Sequence, residues 1–205
     1  MKIGILKLAL AGVLTTVVFA TVSSGAMANS KHAGLQNSQV AHASSGQSIL
    51  PPFAYIQYCV HHRGACSKSI GHVAMVSNNT VKLTPKLSRQ MATINASVNA
   101  SMIARSDKGS DTWSVGGRYG DCEDYAMTKR AKLIAAGWPS AALSLTVVKT
   151  PWGEGHAVLS VHTSEGLLVL DNLTHSVKPL YSAGYRVVSV QGNDPLLWHK
   201  LAGSL

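Results

Sequence analysis

The sequence predicts an α+β domain in which helices pack on an antiparallel sheet. Two helical patterns, over residues 84–102 and 122–134, come before a C-terminal half that is rich in short runs of Val, Leu and Thr. Short connections separate these runs, which favours antiparallel meanders over the long crossovers that parallel strands need. Helices followed by consecutive strands are typical of the α+β class.

The first residues have the features of an export signal. Lys2 and Lys7 form a basic start, Leu8–Val22 is an apolar run, and Ala26-Met27-Ala28 is a small-x-small cleavage site. We therefore expect residues 1–28 to be a signal peptide and the mature protein to be periplasmic or secreted. The alternative is an uncleaved signal that anchors the chain in a membrane.

The rest of the chain is long enough for one domain with its own core. Residues 29–50 contain mostly Ser, Ala, Gln, Gly and His, so we expect a flexible mature N-terminus. A single domain is then expected over residues 51–205. It contains no further stretch that is apolar enough to span a bilayer.

The chain is basic, with 18 Lys and Arg against nine Asp and Glu and a formal net charge of +9 at pH 7. Such a balance is compatible with anionic partners at a cell surface. The basic residues are scattered, without the arginine-rich block or aromatic-interleaved stripe of a nucleic-acid interface. We therefore do not expect nucleic acid as a partner.

Three cysteines in an exported protein leave one thiol over. Cys59 and Cys66 are near neighbours and can close a short disulfide loop, so Cys122 is predicted to be unpaired. A free thiol in an oxidising compartment is uncommon unless it has a use. The alternative reading of Cys122 is a small buried apolar residue.

The first predicted helix has a defined start and one apolar face. Thr84 suits the N-cap and Pro85 suits the first helical position. Apolar side chains then recur at intervals of three and four residues, which indicates a face packed on the core: Leu87, Met91, Ile94, Val98 and Met102.

The second predicted helix begins at the free cysteine. Asp121 is the expected N-cap, Cys122 lies in the first turn, and Gly137-Trp138-Pro139 ends the helix. The helix macrodipole favours a thiolate at this position, whereas the carboxylates of Asp121, Glu123 and Asp124 oppose it. A protonated histidine or a bound cation would have to offset those carboxylates.

Four strands are predicted after this helix, namely Leu143–Lys149, His156–His162, Leu167–Asp171 and Tyr185–Val190. The turn near Ser164 brings His156 and Asp171 together as cross-strand or diagonal neighbours. If the N-terminus of the second helix packs at that edge, Cys122, His156 and Asp171 form a nucleophile, base and orienter.

Four blocks of the sequence resemble the bacterial transglutaminase-like cysteine peptidase family. They are Gly120–Tyr125, Lys129–Pro139, Gly153–Leu159 and Val169–Asn172, and the resemblance covers roughly residues 50–191. It implies a papain/transglutaminase-like core in which Cys122 is the nucleophile, His156 the base and Asp171 the orienter. One branch of this family contains periplasmic proteases that clip a large surface adhesin.

The resemblance also implies calcium, held in that branch by acids beside the cysteine. These acids correspond here to Asp121 and Glu123, with Asp124 as a third candidate. Carboxylate oxygens suit calcium, and a dication would offset the charges that oppose a thiolate. The alternative is that the three acids only cap the helix and favour its positive end. No organic cofactor is expected.

The leading functional hypothesis is an exported cysteine endopeptidase that cleaves a periplasmic or cell-surface protein through an acyl-enzyme. A transglutaminase or deamidase that acts on protein glutamine would use the same three residues, with an amine or water as acceptor. A third hypothesis is a non-catalytic secreted protein that binds calcium or a surface glycan.

Overall fold

The computed structural model describes residues 47–67, 76–77 and 79–200 of the 205-residue chain. The predicted signal peptide, residues 1–28, lies outside the described residues. Three α-helices occur in the described part, namely α1 (Phe53–His61), α2 (Pro85–Ser101) and α3 (Cys122–Ala135). The strands are β1 (Gln47–Ile49), β2 (Val76–Ser77), β3 (Thr80–Val81), β4 (Ile103–Ala104), β5 (Tyr119–Gly120), β6 (Leu143–Lys149), β7 (Gly155–Thr163), β8 (Gly166–Asp171), β9 (Thr174–Pro179), β10 (Arg186–Gln191) and β11 (Trp198–Lys200).

Within the described residues, nine of these strands form one sheet, with β6 and β7 at its centre. On one side β7 pairs with β8, and β8 pairs with β9; on the other side β6 leads through β10 and β11 to β1. These pairings are all antiparallel. The hairpin of β2 and β3 joins the end of β7 by one parallel pair, Val81 with Thr163. The predicted α+β fold with an antiparallel sheet is therefore confirmed.

The two helices predicted ahead of the sheet are both present. At the start of α2 the Leu87 backbone N–H donates to Thr84 Oγ1 at 3.2 Å, and Pro85 is the first helical residue. Met91 and Val98 on the predicted apolar face are buried. The predicted N-cap of α2 and its predicted apolar face are therefore both confirmed.

Seven of the eleven described strands lie where the sequence predicted none, namely β1 to β5, β9 and β11; β1 and β9 show why. Gln47–Ile49 forms β1 against Trp198–Lys200, so the expected flexible segment 29–50 does not extend to residue 50; its residues 29–46 lie outside the described part. Thr174–Pro179 forms β9 in a stretch that was expected to be a loop. Both strands are partly exposed, so they lack the apolar runs that mark the central strands.

Helix α3 packs across β7 and β8. Its buried side chains Ala126 and Leu133 belong to the same core as Leu145, Leu159 and Leu170 of the sheet. This packing places the N-terminus of α3 at the end of the sheet where β7 begins and β8 ends. In the described residues, none of the helices has the length and apolar character required to cross a bilayer.

A disulfide joins Cys59, near the end of α1, to Cys66. The predicted pairing is therefore present. Cys122 is the free cysteine of the described chain, and its side chain is partly exposed.

Candidate active site

His156 and Asp171 are joined by a hydrogen bond between neighbouring strands. The β7–β8 register places Leu159 opposite Leu170, so His156 near the start of β7 lies diagonal to Asp171 at the end of β8. Their Nε2 and Oδ1 atoms are 2.9 Å apart, and both residues are buried. The hairpin thus brings the two side chains together as the sequence predicted.

The Asp171 carboxylate has further partners. The Leu173 backbone N–H donates to Oδ1 at 3.0 Å, and the Tyr185 hydroxyl donates to Oδ2. Burial acts to raise the pKa of Asp171, but the hydrogen bonds from His156, Tyr185 and Leu173 outweigh it, so the pKa is lowered. The carboxylate is therefore ionised, and it is tied to one strand and two loops. The Tyr185 ring also packs edge-on against the His156 ring, with centroids 5.7 Å apart.

Cys122 is the first residue of α3, and its thiol lies beside the backbone N–H of Ala157, the residue after His156. The packing of α3 on β7 therefore brings all three predicted catalytic residues to one end of the sheet. The thiol donates a hydrogen bond to Glu123 Oε2 at 3.2 Å. Burial, followed by the charge of Glu123 and this hydrogen bond, raises the pKa of Cys122 to about 12, and the Ala157 amide acts in the opposite direction. In this arrangement the thiol is protonated.

Three carboxyl groups meet next to the thiol. Oxygens of Asp107, Asp121 and Glu123 all lie within 4.8 Å of one another. Burial and then hydrogen bonding with Asp121 raise the pKa of Glu123 to about 9. Asp121 Oδ1 is buried and forms no hydrogen bond with any residue in the described ranges. An unpaired oxygen among crowded carboxyl groups fits a hard cation with oxygen ligands.

Asp107 was missed by the sequence reasoning, because it lies in a loop without periodicity, 14 positions before Asp121. Its backbone N–H donates to Asp121 Oδ2 at 3.4 Å, which holds the loop against the helix start. A carboxylate in a Gly- and Ser-rich loop just upstream of the cysteine was the available signal. Asp107 is exposed, whereas Glu123 is buried.

Asp124, the third predicted ligand, is not part of this group. Its Oδ1 accepts hydrogen bonds from the Ser114 backbone N–H at 2.7 Å and the Ser114 hydroxyl at 2.9 Å. Its Oδ2 accepts from the backbone N–H of the N-cap, Asp121, at 3.3 Å. A Cβ atom at Gly120 would lie 2.5 Å from Asp124 Oδ2, so only glycine permits this approach. Asp124 thus fastens the preceding loop to α3.

A helix that begins at a free cysteine and packs on a sheet carrying a His–Asp pair has the architecture of a transglutaminase-like cysteine peptidase. The chain belongs to the family described as bacterial transglutaminase-like cysteine proteinase, BTLCP, whose profile matches residues 45–204. This match confirms the resemblance and the activity class, that of a cysteine peptidase.

Solved structures of LapG from Legionella pneumophila are similar to this chain. An EGTA-treated form is 28% identical with a TM-score of 0.50, covering 60% of this chain and 72% of that one. A second LapG structure is 28% identical, with a TM-score of 0.49 and coverage of 58% and 71%. A calcium-bound form is 23% identical, with a TM-score of 0.48 and coverage of 82% and 91%. A search of curated protein sequences finds no match.

Proposed function

We propose that this chain is an exported cysteine endopeptidase that cleaves a periplasmic or cell-surface protein through Cys122, His156 and Asp171. One observation carries the proposal: the His156–Asp171 hydrogen bond of 2.9 Å lies at the end of the sheet where the free thiol of Cys122 meets the Ala157 amide. Family membership supports peptide hydrolysis as the reaction.

In the acylation step His156 acts as the base. Because its Nε2 is held by Asp171, Nδ1 is the ring nitrogen available to accept the thiol proton of Cys122. The thiolate sulfur attacks the peptide carbonyl carbon, and the carbonyl electrons move to oxygen. When the tetrahedral intermediate collapses, the C–N bond breaks and the imidazolium donates its proton to the leaving amine. A thioester to Cys122 remains.

The helix start contributes to the stabilisation of the oxyanion. The Cys122 backbone N–H is in the first turn of α3, where amide groups lack an intrahelical acceptor. It can therefore donate to the developing oxyanion, with the helix dipole in the same direction. The loss of one such donor typically costs about 100- to 1,000-fold in kcat.

Deacylation reverses these roles with water as the nucleophile. His156 accepts a proton from water, the resulting hydroxide oxygen attacks the thioester carbon, and the C–S bond breaks. The sulfur regains the proton from His156, and the new carboxylic acid leaves and releases its remaining proton to water. Asp171 remains ionised throughout, because three hydrogen bonds stabilise its carboxylate.

The Cys122 thiol must lose its contact with Glu123 before it can react, since Glu123 raises its pKa. Asp107, Asp121 and Glu123 would hold a calcium ion, whose charge would offset these carboxylates and favour the thiolate. Loop carbonyls or water would complete the about six to eight oxygens that calcium takes.

Export is the second part of the proposal, and it rests on the signal-like residues 1–28. Expression of the full chain in a Gram-negative host, followed by cell fractionation, should yield a periplasmic or secreted protein. Sequencing of its N-terminus should begin at Asn29. A protein that stays in the membrane fraction with an intact N-terminus would support the uncleaved anchor instead.

The catalytic proposal is tested with three proteins: the parent, Cys122→Ala, and Lys132→Met as a control on the exposed face of α3. Each is incubated with bacterial surface proteins, with calcium or with EGTA, and the released fragments are identified by mass spectrometry. The parent and Lys132→Met should release the same fragments, and Cys122→Ala should release none.

The rival hypotheses give different results in the same experiment. Cleavage by Cys122→Ala equal to that of the parent would exclude the mechanism. Incorporation of a labelled amine, or deamidation of glutamine, without fragment release would favour the transglutaminase or deamidase. Failure of the thiol to react with an epoxide probe, with calcium and with EGTA, would favour the non-catalytic binder.

A further inference from the structure

Two large apolar side chains are exposed at the end of the sheet that carries His156 and Asp171. Trp152, in the turn between β6 and β7, is 62% exposed, and Leu173, in the turn between β8 and β9, is 54% exposed. Single exposed apolar residues are common on protein surfaces and need no explanation. Trp152 and Leu173, called the rim residues here, differ because both lie beside the candidate catalytic pair.

The backbone of Leu173 is joined directly to that pair. Its N–H donates to Asp171 Oδ1 at 3.0 Å, and His156 Nε2 lies 2.9 Å from the same oxygen. The two nitrogen atoms therefore share one acceptor atom. The exposed Leu173 side chain is carried by a backbone that is fixed beside the His156 ring.

The turn that carries Trp152 is also fixed by hydrogen bonds. The Thr150 backbone N–H donates to the Glu154 carbonyl, and the Gly153 N–H donates to the Thr150 carbonyl, both at 2.9 Å. The Glu154 N–H donates to Thr150 Oγ1 at 3.1 Å. The Trp152 indole Nε1 donates to Glu154 Oε2 at 2.8 Å, which holds the exposed ring against a residue two positions before His156.

The same turn packs on the segment that reaches Asp171 from the other side. A Cβ atom on Gly184 would lie 3.3 Å from Pro151 Cγ, so the two segments are in contact. The next residue, Tyr185, donates its hydroxyl to Asp171 Oδ2. Both turns are therefore connected to the same carboxylate, and the rim residues form part of the site.

The proposed reaction decides which part of a substrate meets the rim residues. The His156 imidazolium donates its proton to the leaving amine, so the leaving nitrogen must lie within hydrogen-bond reach of that ring. The substrate chain after the scissile bond therefore begins at His156, whereas the acyl part is attached to Cys122 at the start of α3. Each residue of an extended peptide adds about 3.3 Å, so the rim lies within reach of about the first three residues after the bond.

We propose that Trp152 and Leu173 are substrate-binding residues that select a large apolar side chain within about three residues after the scissile bond. This inference rests on the proposed function, because it assigns a substrate feature to the same active site. Contact of such a side chain with the indole and the leucine removes apolar surface of both partners from water. Because both turns are fixed before substrate binds, little conformational entropy is lost.

The experiment compares the parent with Trp152→Ser and Leu173→Ser. Leu173→Ser keeps the backbone N–H that donates to Asp171. The matched control is Leu196→Ser, which removes a leucine that is 51% exposed beside β11, at the opposite end of the sheet. Thermal unfolding establishes that each variant is folded; if Trp152→Ser is not, Leu173→Ser carries the test.

Each protein is incubated, with calcium, with a library of peptides from a bacterial proteome, and the cleavage sites are identified by mass spectrometry. The parent and Leu196→Ser should show an enrichment of large apolar residues at one fixed position after the scissile bond. Both rim variants should lose this enrichment. A thiol-directed epoxide too small to reach the rim should inactivate all four proteins at the same rate.

A pair of peptides then separates substrate binding from a structural role. The two peptides share one preferred cleavage site and carry Leu or Ser at the enriched position. In the parent, kcat/KM should be higher for the Leu peptide, and each rim variant should reduce the ratio of the two values roughly tenfold. A substitution that only disturbs the fold would lower both values together and leave the ratio unchanged.

Several results would overturn the inference while the proposed function stands. They are cleavage by the parent without a preference after the bond, enrichment of small or polar residues there, or a preference that both rim variants retain. A parent that cleaves no library peptide removes the proposed function and this inference with it. The epoxide reaction then shows whether the Cys122 thiol itself is reactive.

Discussion

The two sides of the candidate active site differ in how completely their polar groups are paired. On the sheet side, both Asp171 oxygens accept hydrogen bonds, and His156 is held by one of them. On the helix side, the Cys122 thiol donates to Glu123, and Asp121 Oδ1 has no hydrogen-bond partner in the described part of the chain. The proposed base, His156, and its proposed orienter, Asp171, are therefore already joined, whereas the thiol of the proposed nucleophile, Cys122, is protonated.

This difference has a physical cause. A buried network in which every member is paired is rigid, because each bond would be costly to lose in a low dielectric. On the helix side, burial and then hydrogen bonding with Asp121 raise the pKa of Glu123 to about 9, so Glu123 holds a proton at neutral pH unless a bound cation replaces it. The protonation of the helix side can therefore change near neutral pH or when a cation binds, whereas the paired Asp171 stays ionised there.

The largest expected effect comes from breaking the preassembled side with Asp171→Asn. Asparagine keeps the shape of the side chain but removes its charge, and its amide N–H group can face His156 in place of an oxygen. His156 then loses the anionic acceptor that sets its tautomer. We expect kcat to fall by about 1,000- to 10,000-fold, as for the loss of the carboxylate in a Ser–His–Asp triad. Steady-state kinetics on the identified substrate measure this, and a loss below tenfold would show that Asp171 does not orient the base.

The second-largest effect is expected on the helix side, from the substitution Glu123→Gln. Glu123 raises the pKa of Cys122, so its neutralisation should lower that pKa from about 12 and increase the thiolate fraction. Because Glu123, with a pKa of about 9, is largely protonated at pH 8, the gain is expected above that pH. Without added calcium, alkylation by iodoacetamide should be roughly tenfold faster or more at about pH 10 and little changed at about pH 8.

The matched control is Glu165→Gln, an exposed acid in the β7–β8 turn, which should leave the alkylation rate unchanged. Glu123→Gln should also reduce the response of that rate to calcium and EGTA, because one of three carboxylates is lost. Equal alkylation rates in Glu123→Gln and the parent at every pH would mean that Glu123 does not hold the thiol protonated.

The smallest effect is expected from Tyr185→Phe, which removes one of the hydrogen bonds to Asp171. Hydrogen bonds to charged groups contribute about 1.5–3 kcal/mol, so unfolding by urea should show a loss near the lower end of that range. The lowered pKa of Asp171 stabilises the fold at neutral pH, and this contribution disappears as the pH falls through the folded-state pKa.

Without the Tyr185 hydroxyl the pKa of Asp171 is lowered less, so the acid loss of stability should begin at a higher pH than in the parent. We expect kcat to fall only about three- to tenfold, since two other donors to Asp171 remain. A pH–stability curve that coincides with that of the parent would remove Tyr185 from this network.

Local patterns in the sequence were sufficient to predict the main helices and the central strands of the fold. The caps and periodicity of α2 and α3 and the apolar runs of the central strands depend on neighbours in the chain, so they are visible in sequence. The strand β9 was missed because a partly exposed edge strand does not need a continuous apolar run. The strand β1 was missed because its three residues are specified by pairing with β11.

The candidate site divides in the same way. The diagonal relation of His156 and Asp171 followed from the turn between two adjacent strands. The group of three acids, Asp107, Asp121 and Glu123, could not be predicted in this way. Asp107 joins it through a folded loop, and Asp124 binds Ser114 instead. Which acids share a site depends on long-range packing, and residue types alone do not specify it.

The sequence alone determined the free cysteine at a helix start, the histidine and aspartate on one hairpin, and the family to which the chain belongs. These features are local or are carried by short motifs. The tertiary structure decided the protonated state of Cys122, the membership of the acid group and the burial of Lys129. Each of these depends on desolvation and on charges brought together from distant parts of the chain, and neither quantity exists before the chain is folded.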